Sequence, residues 1–114
     1  MSSFDDNPYK RESHKERNQI RRLRISFMGE VQGVGFRWTA QAEARGVGAT
    51  GWVKNEADGT VSMELQGTDD QIAQFFGRFT RAYARYPIDY VIAEKNDIPV
   101  VEGEHDFAVR FGSR

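Results

Sequence analysis

From residue 22 onward the chain shows a clear hydrophobic rhythm. Leu23, Ile25 and Phe27 alternate with Arg24, Ser26 and Met28, the period of a strand that buries one face. Gly29, Gly33 and Gly35 then break the regularity. From Phe36 the period lengthens: Phe36, Ala40, Ala44 and Val47 stand at i, i+4, i+8 and i+11, one stripe of a helix that Gly46 and Gly48 end. A short strand is predicted over residues 50–54, around Trp52 and Val53. The loop 55–59 closes on Asp58-Gly59, a strong turn signal. Val61, Met63 and Leu65 alternate with Thr60, Ser62 and Glu64, which completes a hairpin closed by Gly67.

A second helix follows. Thr68 and Gln71 have capping-box spacing, and Asp69 and Asp70 sit where the helix dipole favours anions. Ile72, Phe75, Phe76, Phe79 and Tyr83 line one face, Arg78, Arg81 and Arg85 fall toward the end, and Pro87 stops the helix. Residues 88–94 read as a fourth strand, and Phe107, Val109 and Phe111 alternate in a fifth. The stretch 95–106 is polar and contains Pro99 and Gly103, so a loop or a poorly formed edge is expected. The order β-α-β-β-α-β, with an extra strand, predicts an α+β, ferredoxin-like sandwich: an antiparallel sheet with both helices on one face. Many unrelated functions share that arrangement.

Residues 1–21 lack the rhythm. Met1, Phe4, Tyr9 and Ile20 are their large apolar residues, too few to offset the entropy of ordering. The expected division is a mobile polar leader over 1–21 and one domain over 22–114. The charges from Lys10 to Arg22 are mostly basic (Lys10, Arg11, Lys15, Arg17, Arg21 and Arg22), with Glu12 and Glu16 among them; the mixed signs suit a solvated segment better than a nucleic-acid arm. The 114 residues allow one domain, and the net charge of −1 gives no global attraction to nucleic acid or anionic lipid. No apolar stretch approaches the roughly 20 residues of a membrane span, and no signal peptide is evident. The absence of cysteine removes disulfides, thiolate metal sites and cysteine nucleophiles, and fits a cytoplasmic protein. A monomer is expected, without nucleic-acid or membrane partners.

The segment Gly29-Glu30-Val31-Gln32-Gly33-Val34-Gly35-Phe36-Arg37 has the chemistry of an anion site. Its glycines let successive backbone N–H groups face one concavity, and the next helix adds its positive end. Arg37 offers a planar fork of donors. A cation in the first turn of a helix is unfavourable by up to about 1 kcal/mol, and a bound dianion reverses that penalty. On spacing alone, a plain strand-to-helix turn with a solvated arginine fits equally well, and the Gln32 side chain is expected to cap the turn rather than hold a ligand.

The same residues resemble the first signature of the acylphosphatase family: glycine, any residue, Val-Gln-Gly-Val, any residue, Phe-Arg. Gly51-Trp52-Val53-Lys54-Asn55 and Asp58-Gly59-Thr60-Val61 resemble its second, and Phe107-Ala108-Val109-Arg110-Phe111 its last strand. The resemblance spans residues 22–112. It implies hydrolysis of carboxyl-phosphate mixed anhydrides, without metal or cofactor, on a small-molecule acyl phosphate. By position, Arg37 matches the phosphate-binding arginine and Asn55 the water-orienting asparagine. Gln32, Gly33, Val34, Gly35 and Phe36 match the loop whose amides cradle the phosphate. Glu56 departs from the pattern, since animal members often carry a hydroxyl residue there.

Other candidates carry less. His14 and His105 are the two histidines, each without a nucleophile or metal partner nearby in sequence. Asp97, Glu102, Glu104 and Asp106 lack the glycine-turn spacing of a calcium loop. Asp58 is assigned to the turn and Trp52 to the core under the hairpin. Trp38, off the buried stripe, packs against the leader or final strand, or lines the mouth of the site and favours aromatic or apolar acyl groups. Two alternatives remain. One is a non-catalytic module that binds phosphate or carbamoyl phosphate, as in the N-terminal module of the hydrogenase-maturation carbamoyltransferase, which the length of the chain disfavours. The other is an RNA-binding sheet, which lacks the stacking aromatics on its first and third strands.

Overall fold

The alternation of Leu23, Ile25 and Phe27 sets up the sheet: these three side chains are fully buried, while Arg24 and Met28 are exposed on the opposite side. The computed structural model describes residues 19–32, 35–83 and 90–111. Strand β1 (Ile20–Gly29) is followed by helix α1 (Phe36–Val47), strands β2 (Thr50–Asn55) and β3 (Val61–Thr68), helix α2 (Asp69–Tyr83), and strands β4 (Tyr90–Ile98) and β5 (Phe107–Arg110). The sheet order is β4-β1-β3-β2-β5. Four strands are antiparallel, and β5 adds to β2 in parallel. This is the ferredoxin-like α+β sandwich, with a fifth strand at the β2 edge.

Ile25, Phe27, Val53, Val61, Met63 and Leu65 on the sheet meet Phe36, Ala40 and Ala44 of α1 and Ile72, Phe75 and Phe79 of α2 in one core. Phe36 sits at the centre of an aromatic group, its ring 5.0 Å from Phe27, 4.9 Å from Phe79 and 5.6 Å from Tyr83. The first residue of α1 is thereby anchored in the core. Helix α2 begins with a reciprocal capping box: Thr68 N–H donates to Gln71 Oε1 at 2.9 Å, and Gln71 N–H donates to Thr68 Oγ1 at 3.1 Å.

Several boundaries differ from the sequence reading: β2 takes in Asn55, expected in the loop, and three others shift. β1 already includes Ile20 and Arg21, because Ile20 pairs with Thr68 and Arg21 with Gly67. Arg21 also joins two elements, with ion pairs of 2.7 Å to Asp69 and 2.9 Å to Asp97. Helix α1 runs through Gly46 and ends on Gly48. β4 continues through Lys95 to Ile98, since the β1 backbone from Arg22 to Ile25 pairs with it whatever its side chains. The expected leader residues 1–18, the helix stop at Pro87 and the strand start at Ile88 lie outside the described residues.

β4 and β5 occupy opposite edges, so residues 99–106 must cross the sheet face away from the helices. Polar side chains hold them there. Gln66 exchanges two hydrogen bonds with the Val101 backbone, each 2.8 Å. Arg22, only 2% exposed, forms ion pairs with Glu64 at 2.8 Å and Glu104 at 2.7 Å. Trp52 is buried on this face and not in the helix-side core; the Arg24 and Arg110 guanidinium carbons lie 5.5 and 4.6 Å from its ring centre.

Candidate active site

Strand alternation places the asparagine. Val53 points into the helix-side core, so Asn55, two residues on at the end of β2, faces the same side. There it lines a pocket of about 170 Å³ with Val31, Gly35, Phe36, Arg37 and Trp38. Its Oδ1 is buried and has no hydrogen-bond partner among the described residues. A buried carbonyl oxygen left unpaired costs about 1–3 kcal/mol, a cost that a bound water or ligand donor would remove.

The N-terminus of α1 forms the facing wall. Gly35 occupies the position before the helix with φ 74°, and no side chain among the described residues caps the free N–H groups there. A side chain at Gly35 would meet no neighbour but would be strained by that left-handed backbone. No acidic residue lies in the first turn of α1, whereas α2 carries Asp69 and Asp70 in its first turn. The positive end of α1 is thus left open toward the pocket.

Arg37 projects from that first turn. Its Nη1 donates to the Arg110 carbonyl at 3.4 Å, and its guanidinium carbon lies 4.8 Å from the Phe111 ring centre. Arg21, Arg22, Arg24, Arg45 and Arg78 each pair with a carboxylate. Arg37 has no such partner among the described residues.

Gln32 has a role that sequence spacing did not reveal. Its Nε2 donates to the Glu56 carbonyl at 2.9 Å and to the Thr60 carbonyl at 2.8 Å. The amide therefore ties the glycine-rich loop to the turn that follows Asn55. Asp58 Oδ1 closes that turn by accepting from Thr60 N–H at 3.0 Å and Thr60 Oγ1 at 2.7 Å; these bonds hold its carboxyl below the usual range. The Glu56 carboxylate lies 4.0 Å from Lys54 and lines a separate hollow on the opposite sheet face with Arg24, Ser62 and Glu94.

Of the site residues proposed from sequence, Gly35, Phe36, Arg37 and Asn55 line one pocket, and Gln32 braces it from beside. Gly33 and Val34 lie outside the described residues. Val31 and Phe111 are additions. Val31 is fully buried beneath the loop, and Phe111 lies just beyond the last residue of β5, over Arg37. Its place in an alternating apolar series marked it only as a strand residue. The acidic residues of the last loop are dispersed: Asp97 pairs with Arg21, Glu104 with Arg22 and Asp106 with Arg45. His105 is exposed, and His14 lies outside the described residues. No helix among the described residues is long and apolar enough to cross a membrane.

The chain is similar to known proteins over this whole unit. The family model for acylphosphatase matches residues 23–109. An acylphosphatase of Rhizobium etli is 44% identical over 79 residues, which is 69% of this chain and 82% of that protein. The crystal structure of the Bacillus subtilis acylphosphatase superposes with a TM-score of 0.66 at 30% identity, covering 81% of this chain and 99% of the other. HypF from T. kodakarensis gives a TM-score of 0.64 at 28% identity, covering 82% of this chain but 12% of the other. With both walls of the pocket and the match across residues 23–109 in agreement, the chain belongs to the acylphosphatase family, enzymes that hydrolyse acyl phosphates.

Proposed function

We propose that this protein hydrolyses carboxyl-phosphate mixed anhydrides to a carboxylate and inorganic phosphate, with Arg37 holding the phosphoryl group and Asn55 orienting the attacking water. One observation carries the reading: among the described residues, an arginine without a carboxylate partner, a helix N-terminus without a side-chain cap and an amide oxygen without a hydrogen-bond partner line the same pocket. The first two complement a dianion. The third complements a hydrogen-bond donor.

In the reaction, water attacks phosphorus and the bond from phosphorus to the acyl oxygen breaks, its electron pair leaving with the carboxylate. The conjugate acid of that leaving group has a pKa near about 4, so departure needs no general acid. Phosphoryl transfer of this type depends on positioning and on stabilising charge at the equatorial oxygens. Arg37 and the amides of residues 32–36 supply the stabilisation. Asn55 Oδ1 accepts a hydrogen bond from the water and fixes its line of attack. The water proton passes to a phosphate oxygen of the substrate. The scheme draws on no metal or cofactor.

Hydrolysis of benzoyl phosphate by the purified protein in excess EDTA tests this reading. Turnover that is undiminished by EDTA and competitively inhibited by inorganic phosphate is expected. The likeness to a segment of HypF favours one other reading, a phosphate-binding module. Phosphate binding by a folded protein without turnover would establish that module instead.

A further inference from the structure

Trp38 and Phe111 stand exposed beside the pocket, at 53% and 65%. Their ring centres are 6.0 Å apart, inclined at 48°, and Phe111 also lies against the Arg37 guanidinium. Neither belongs to the core. Two adjacent aromatic faces in water carry an apolar hydration cost that their own partial contact leaves largely unrelieved.

The size of the pocket decides what part of a substrate reaches them. Its 170 Å³ accommodates about six water-sized groups, which a phosphoryl group and an attacking water largely fill. It is well below the roughly 300 Å³ at which pockets begin to engulf a whole organic ligand. With the phosphoryl group at Arg37 and the water at Asn55, the acyl group projects through the mouth. Trp38 lines that mouth, with Phe111 against it. Arg37 is the only charged side chain among the described residues that line the pocket, and the phosphoryl group engages it. A second anionic group on the acyl chain would find no partner there.

The geometry points to an acyl-binding shelf, formed by Trp38 and Phe111, that selects planar aromatic acyl phosphates over small aliphatic ones. This rests on the acyl-phosphate reading above and names the part of the substrate that the phosphate site does not touch. The test is kcat/KM for benzoyl phosphate and for acetyl phosphate in the wild type, Trp38→Ala, Trp38→Phe and Phe111→Leu. The ratio of the two substrates within each variant cancels changes in Arg37 placement and folding, and comparing it with the wild-type ratio cancels intrinsic leaving-group reactivity.

The benzoyl-to-acetyl ratio is expected to fall about three- to tenfold in Trp38→Ala and Phe111→Leu, the size of one aromatic contact. In Trp38→Phe it should stay within about twofold of the wild type, because an aromatic face is kept. An unchanged ratio in Trp38→Ala, with both substrates still turned over, would overturn the shelf while leaving the family reaction intact. No turnover of either substrate by the folded wild type would overturn the reaction itself.

Discussion

At the scale of single residues, the site is an arrangement of unsatisfied groups held in place by satisfied ones. Asn55 Oδ1 has no partner among the described residues, yet the turn beside it is fixed by the two bonds from Gln32 and the two accepted by Asp58. In the proposed mechanism Gln32 acts as a positioning residue for Asn55, through the turn that it ties down. Gln32→Ala is expected to lower kcat about ten- to hundredfold, since small misplacements of a positioning group are costly. Combined with Asn55→Ala it should add little, as residues acting as one unit are non-additive. Full additivity in that cycle would show that the clamp acts elsewhere. Arg37 and Asn55 were singled out in the sequence through the resemblance of two motifs to family signatures, and both line one pocket. The clamp was not legible there, since Gln32 meets carbonyl groups 24 and 28 residues away, and a sequence does not display backbone partners. The same limit hid the direction of Glu56, which turns to Lys54 and away from the pocket.

At the scale of elements, β2 carries the constraint that matters most for the site. Gly51 has φ 135°, and a Cβ there would collide with the Glu64 carbonyl oxygen of β3. The β2–β3 ladder thus closes to a distance that only glycine allows, four residues before Asn55. Gly51→Ala should destabilise the fold by more than about 3 kcal/mol by strain and overpacking, read as the shift in a denaturant midpoint. Wild-type stability in that variant would contradict the close approach. Elements with a strong internal period, β1, α1, β3 and α2, were readable because one buried face imposed the pattern. β4 was readable only as far as residue 94, for its continuation is a largely exposed edge whose Lys95, Asn96 and Asp97 are not buried. Its pairing with β1 is a backbone matter. Trp52 was read as buried, and it is; because β2 is buried on both faces, burial alone did not say which side it took.

At the scale of the whole molecule, the two sheet faces divide the work. One packs the helices and opens at its end into the pocket. The other is spanned by residues 99–106 and tied down by Arg22, Gln66 and Glu104. Burial opposes the charge on Glu104, but hydrogen bonds from Arg22 and Thr50 and the charges of Arg22 and Arg110 outweigh it, so its carboxyl lies below the usual range. A carboxyl depressed in the folded state contributes stability that is complete above its unfolded pKa and lost as pH falls through the folded value. Stability is therefore expected to decline below about pH 4, and Glu104→Gln should cost about 2 kcal/mol at neutral pH and flatten that acid limb. An acid limb unchanged by Glu104→Gln would place the lability elsewhere. The loop that crosses this face also delivers β5, and with it the Arg110 carbonyl and the Phe111 ring that meet Arg37. The central claim is that two side chains from opposite walls of one pocket perform the hydrolysis, Arg37 by binding and Asn55 by directing water. Its most direct test is benzoyl phosphate turnover together with phosphate affinity in Arg37→Ala and Asn55→Ala. Both variants should lose about 100-fold or more in kcat, with phosphate binding weakened in Arg37→Ala and retained in Asn55→Ala. Turnover that survives either substitution would contradict the account.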